Sequence, residues 1–187
     1  MLLATRNLPY HLVYHGARLF TETFASVEAE GWDAVPEGPC LFAANHQSML
    51  DPPLVGGLIP REIAFVARKT LFRNPVFGGL IRACRAIPLD RDEADIAAIR
   101  RTLAVLAEGR ALLIFPEGTR SADGRLQEAK SGAGLLAIKS GVPVVPIRIR
   151  GARDILPRGA RWPRGGARVR VRFGQAIPAA SLDPGRG

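Results

Sequence analysis

The sequence predicts an α/β fold: a single layered domain with a largely parallel central sheet flanked by helices, led by an amphipathic N-terminal helix. Two observations carry this. Short apolar runs of strand length alternate with segments whose apolar residues recur at helical spacing. The chain of 187 residues, 47% hydrophobic and 23% charged, also fits one domain with a substantial core, which excludes disordered and fibrous architectures. No internal repeat or second domain is visible, so 1–187 reads as one domain.

Residues 6–29 read as an amphipathic helix, because Val13, Ala17, Phe20, Phe24 and Val27 recur at helical spacing with Arg18, Glu22 and Glu28 elsewhere. Such a face suits packing across the domain or lying in a membrane interface. Residues 31–39 are a turn-rich connector. A core over 40–149 follows, opening with a strand at 40–44, a polar loop at 45–51 and a short helix at 52–59 with prolines in its first turn. Next come a strand at 63–67, a helix at 70–83 interrupted at Pro75, and a strand at 86–89. The helix at 93–108 places Ile96, Ile99, Leu103 and Leu106 on one side. A buried strand at 111–115, a helix at 131–140 and a strand at 142–149 complete the core. Residues 150–187 form a basic loop, an edge strand at 168–173 alternating Arg with Val, Val and Phe, and a tail.

The formal charge is +9, with Arg far outnumbering Lys. A chain this basic attracts polyanions: nucleic acid, an anionic membrane surface or phosphorylated substrates. Cys40 and Cys84 lack paired spacing, so neither a disulfide framework nor a metal site is expected, and both read as buried thiols of a reducing compartment. The first residues lack the continuous apolar core and cleavage site of a secretory signal. No run approaches the roughly 20 apolar residues of a spanning helix. Membrane contact is therefore expected from the surface alone.

Two loops carry the chemistry. Asn45-His46-Gln47-Ser48-Met49-Leu50-Asp51 follows a strand directly, where open α/β sheets bind ligands. Folded back, it would bring Asp51 against His46, fixing the imidazole tautomer and equipping the other nitrogen as a general base toward an alcohol. Asp51 before Pro52 would equally serve as a helix N-cap, with His46 a hydrogen-bonded loop residue. Phe115-Pro116-Glu117-Gly118-Thr119-Arg120-Ser121 also follows a strand. Gly118 admits a ligand close to backbone, Thr119, Arg120 and Ser121 offer donors suited to phosphate, and Glu117 would accept from a hydroxyl or pin Arg120. Arg91 closes the strand at 86–89, as a ligand or a solvated end, and Lys130 opens a helix whose N-terminus suits an anion.

In this order the blocks resemble the 1-acylglycerol-3-phosphate acyltransferases, the lysophospholipid acyltransferases, over about 40–149. Residues 45–51 are similar to the family's His-x-x-x-x-Asp block, and 86–91 to its second, with Arg91 at the substrate-binding arginine. Residues 115–121 match the third residue for residue, and 142–147 resemble the proline-bearing fourth. Ala129 stands where relatives often carry an aromatic, and Arg85 where a Gly is common. The resemblance implies transfer of a fatty acyl group from a thioester donor, acyl-CoA or acyl carrier protein, to the free hydroxyl of 1-acylglycerol-3-phosphate, making phosphatidic acid. His46 would be the base and Asp51 its partner. Arg91, Glu117, Gly118, Thr119, Arg120 and Lys130 would hold the substrate. No cofactor or metal is implied, only the thioester co-substrate. The protein is expected to be peripheral, at the cytoplasmic side of a membrane with anionic lipids.

Three other readings compete. Another lysolipid or glycerol-3-phosphate would suit the same phosphate-holding residues. A serine hydrolase using Ser48 or Ser121 lacks the Gly-x-Ser-x-Gly elbow. A nucleic-acid module would exploit the arginines between 148 and 172, but aromatic platforms there are limited to Trp162 and Phe173, so no nucleic-acid partner is expected.

Overall fold

The computed structural model describes residues 8–90 and 95–182. Its elements are α1 (Leu8–Phe24), β1 (Ala25–Glu30), β2 (Leu41–Ala44), α2 (Asp51–Leu58), β3 (Ile63–Arg68), α3 (Pro75–Ala83), β4 (Ala86–Leu89), α4 (Ile96–Ala107), β5 (Ala111–Ile114), α5 (Ser131–Ser140), β6 (Val144–Arg150), α6 (Ala152–Ile155) and β7 (Ala167–Phe173). The strands form one sheet in the order β1-β7-β6-β2-β5-β3-β4. Every neighbouring pair is parallel except β6 with β7. This is the expected class, an α/β fold on a largely parallel sheet with helices on both faces.

The central strands are apolar throughout because both faces are covered. One face, carrying Phe42, Val145, Ile149, Val169 and Val171, packs against Tyr10 and Tyr14 of α1, Val55 of α2, Ile81 of α3 and Ile155 of α6. The other, carrying Leu41, Ala64, Leu112 and Ile114, packs against Val105 and Leu106 of α4 and Leu136 of α5. Each fully buried side chain of this size contributes about 1.5–3 kcal/mol. Tyr14 lies so close over Gly56 that a Cβ there would collide with its ring. Tyr10 accepts a hydrogen bond from the Ile63 N–H at 2.9 Å, and burial pushes its phenol up to about 12. Cys40 and Cys84 are buried free thiols, and burial raises the Cys84 thiol to about 11.

Four expectations need correction. The N-terminal helix, expected over 6–29, ends at Phe24, and Ala25–Glu30 is β1; residues 6 and 7 lie outside the described residues. Val27 satisfies a helical stripe, but Ala25, Val27 and Ala29 also alternate with Ser26, Glu28 and Glu30. That two-residue period won because β7 offers arginines in register, with Glu28 opposite Arg170 and Glu30 opposite Arg172. For the same reason β7 is not an edge strand; it lies between β6 and β1. In α4, Ile96 is exposed while Ala98, Thr102 and Val105 are buried, so packing rotated the apolar stripe. The basic loop also holds a short helix, α6.

Candidate active site

β2 and β5 are adjacent parallel strands whose connections leave in opposite senses. The chain from β2 goes through α2 to β3, on the face of α1. The chain from β5 goes through α5 to β6, on the face of α4. Their C-terminal ends therefore open a crevice at a topological switch point. The loops 45–50 and 115–130 line it.

In the first loop the Asp51 carboxylate is fully buried, and its Oδ2 gathers three donors. It accepts from the Gln47 N–H at 2.6 Å and the Ser48 N–H at 2.8 Å, and lies 2.8 Å from His46 Nδ1. The side chain thus faces back into the loop instead of capping its own helix; Leu50 holds the N-cap position. This geometry puts the proton on Nδ1 and leaves Nε2 as the basic nitrogen. The His46 side chain is 12% exposed and stacks on Phe115 at 4.0 Å between centroids, with 20° between planes. The ring is fixed from beneath by an aromatic and from one edge by a carboxylate.

The second loop is tied to the first through backbone. Glu117 Oε1 accepts the His46 N–H at 3.1 Å, and the Ser121 N–H donates to the His46 carbonyl at 2.7 Å. Glu117 therefore does not pin Arg120, one of the roles open to it from sequence. Among the described residues, Asp51 Oδ1 and Glu117 Oε2 are buried without a hydrogen-bond partner. Gly118 is left-handed, at φ 67°, and its N–H closes a turn onto the Phe115 carbonyl. The alkyl chain of Lys130 crosses directly over it, with Cδ and Cε each 3.0 Å from where a Cβ would sit. Thr119 and Arg120 are half-buried, and their side chains make no ion pair or hydrogen bond to other described residues.

The structure thus joins His46, Asp51 and Glu117 in one bonded unit, with Gly118 and Lys130 in contact beside them. Arg91 lies outside the described residues. The strand before it ends at the same edge of the sheet as β2 and β5. Sequence reasoning missed the pegs of the site. Asn45 bridges to β6, donating to the Ile149 carbonyl at 3.0 Å and accepting its N–H at 2.7 Å. Gln47 donates to the Gly124 carbonyl at 2.9 Å. Ser48 is fully buried and donates to the Leu156 carbonyl, while Ser121 bonds Asp123 and the Gly124 N–H. Neither serine is joined to the His46 ring, so the hydrolase reading finds no nucleophile–base pair here. The polarity of the 45–51 block was visible in sequence, but the partners of these residues lie up to 108 positions away.

A sequence model of the acyltransferase family matches residues 26–150, a span that contains the whole crevice. The chain belongs to the acyltransferase family. It is 33% identical to a chloroplastic 1-acyl-sn-glycerol-3-phosphate acyltransferase of Brassica napus, over 86% of this chain and 47% of the relative. It is 31% identical to a second, from Arabidopsis thaliana, over 94% of this chain and 52% of the relative. The chain spans about half the length of these curated relatives. The crystal structure of the 1-acyl-sn-glycerophosphate acyltransferase PlsC from Thermotoga maritima superposes with a TM-score of 0.79 at 31% identity, covering 91% of this chain and 69% of that one. The first and third sequence blocks are the loops that follow β2 and β5, the second opens with β4, and the fourth runs into β6.

Proposed function

We propose that the protein transfers a fatty acyl group from a thioester donor to the free hydroxyl of 1-acylglycerol-3-phosphate, yielding phosphatidic acid for phospholipid synthesis. One observation carries this reading: a His46–Asp51 pair at 2.8 Å, bonded into the loop that bears Glu117, Gly118 and Arg120. His46 Nε2 takes the hydroxyl proton as the oxygen attacks the thioester carbonyl. The tetrahedral intermediate collapses, the C–S bond breaks, and the imidazolium returns the proton to the departing thiolate. Asp51 holds the ring and stabilises its charged form. Arg120, Thr119, Lys130 and the Gly118 backbone grip the acceptor phosphate, with Arg91 as a further phosphate ligand. Nothing in this sequence of steps requires a cofactor.

The acceptor would be met at a membrane. Among the described residues no helix is long and apolar enough to cross one. Leu8, Leu12 and Leu19 of α1, with Val76 and Leu80 of α3, are exposed, and α1 and α3 are packed together. We assign them to an interfacial contact that keeps the protein peripheral, at the cytoplasmic side.

The test is a transfer assay with purified protein, offering 1-acylglycerol-3-phosphate, other lysolipids and glycerol-3-phosphate against acyl-CoA and acyl carrier protein donors. Product from 1-acylglycerol-3-phosphate that disappears in His46→Ala supports the proposal. Turnover retained in His46→Ala overturns it.

A further inference from the structure

The sheet face opposite α1 is covered by α4 and α5 only over its central strands. Past Val144, which still belongs to that covered core, no described helix lies over β6, β7 and β1, and the face is strongly charged. Arg148 and Arg150 of β6 and Arg168, Arg170 and Arg172 of β7 all point out on this side, while Ile147, Ile149, Val169, Val171 and Phe173 point inward and are buried. Glu28 and Glu30 of β1 offset part of the charge, leaving five arginines against two glutamates. Glu28 lies 3.8 Å from Arg168 and 2.9 Å from Arg170, and Glu30 lies 3.5 Å from Arg172.

The register makes this face unusual. Arg148 is directly opposite Arg172, and Arg150 directly opposite Arg170. Like charges directly opposed on neighbouring strands are destabilising. Among the described residues no carboxylate lies within ion-pair distance of Arg148 or Arg150. Two unfavourable pairs kept on an otherwise open surface point to an anion supplied from outside.

We infer that this arginine face docks an acidic protein bearing the acyl thioester, an acyl carrier protein, an inference that rests on the acyl-transfer reading above. Three relationships favour that occupant. First, β7 alone spreads its arginines over about 14 Å from Arg168 to Arg172, at ~3.4 Å per residue, with a second row on β6. That area suits a protein's row of carboxylates better than one nucleotide. Second, α1 and its exposed leucines lie on the opposite face of the sheet, so a flat bilayer meeting α1 does not also meet these arginines. Third, the ladder runs up to the crevice. Both backbone groups of Ile149, between Arg148 and Arg150, are held by Asn45, the neighbour of His46. A carrier seated on the ladder is therefore next to the crevice that its prosthetic arm must enter. Nucleic acid is disfavoured, because the exposed side chains of β1, β6 and β7 include no aromatic platform for a base.

The experiment compares one acyl chain presented on coenzyme A and on acyl carrier protein, in wild type and in the double variant Arg148→Glu/Arg150→Glu. The new glutamates would face Arg172 and Arg170, so the variant should fold with an equal or higher Tm. Its KM for the carrier-borne donor should rise at least tenfold, while rates with acyl-CoA and binding to phosphatidylglycerol vesicles stay within twofold. The carrier-borne KM of wild type should also climb with salt. Arg148→Lys/Arg150→Lys should restore most of the difference. Equal loss with both donors, no loss with either, a wild type indifferent to the carrier, or a defect confined to vesicles or DNA would each overturn the inference. Direct binding of purified acyl carrier protein gives a second readout. A protein inactive with both donors would refute the acyl-transfer reading, while binding would still decide the docking face.

Discussion

The carboxylate of Asp51, the first residue of α2, turns away from its own helix and meets His46 Nδ1 at 2.8 Å, across a loop of four residues. Its Oδ2 also accepts the Gln47 and Ser48 N–H groups, so one atom shapes the loop and orients the ring. Ring and loop are a single unit. Disturbing the carboxylate should therefore affect chemistry before it affects acceptor affinity.

Replacing His46 by Ala removes the base but leaves the loop's backbone bonds to Glu117 and Ser121 in place. A positioned general base contributes roughly 10²–10⁴-fold. The variant should lose at least about 10²-fold in kcat, with unchanged circular dichroism. Asp51→Asn keeps the volume but presents an amide where three donors converge. It should lower kcat by a comparable factor and also reduce Tm, because buried donors lose their acceptor.

Arg120→Ala should act differently. The Arg120 side chain is free of internal partners among the described residues, so its removal leaves the fold intact. Initial rates should show a raised KM for the phospholipid acceptor with kcat little changed.

Gly118→Ala combines two penalties. The left-handed backbone costs a side chain about 1–2 kcal/mol. The new Cβ would also press on Lys130 Cδ and Cε at 3.0 Å. Thermal melting should register the first, and a higher acceptor KM the displacement of Lys130.

Arg85 is the one non-glycine with positive φ among the described residues, at 60°, just past the end of α3. Arg85→Gly should relieve about 1 kcal/mol of backbone strain. The ion pair to Glu62 that it sacrifices, at 3.6 Å with the arginine half exposed, is worth less. The expected result is a higher Tm with activity retained.

Asp95 caps α4, accepting the Ala98 N–H at 2.7 Å and the Asp90 N–H at 2.9 Å. The Asp90 N–H, followed by that of Ala98, holds its carboxyl below the ordinary value of 3.8. A carboxyl depressed in the folded state stabilises above its ordinary pKa and loses that contribution as pH falls through the folded value. Asp95→Ala should cost about 1 kcal/mol at neutral pH. The Tm gap between variant and wild type should narrow below pH 3.8 and close in stronger acid. A gap independent of pH would show that the cap is not the source.

What sequence determined by itself was local. β4 and α5 match their expected ranges, and most other core elements differ by one to three residues, because apolar period and proline placement are written into adjacent positions. The His46–Asp51 pair and the 115–121 loop were legible for the same reason: the first two residues are five positions apart, and the second is contiguous. Tertiary structure decided the rest. Val27 fits a helical stripe and a strand equally well, and only β7, some 140 residues later, turned Ala25–Glu30 into β1. That pairing moved β7 from the edge to the interior. Likewise nothing near Asn45 names Ile149, and nothing near Arg148 names Arg172. Neighbouring residues fix periodicity, whereas the partner across a sheet is chosen by the packing of the whole chain.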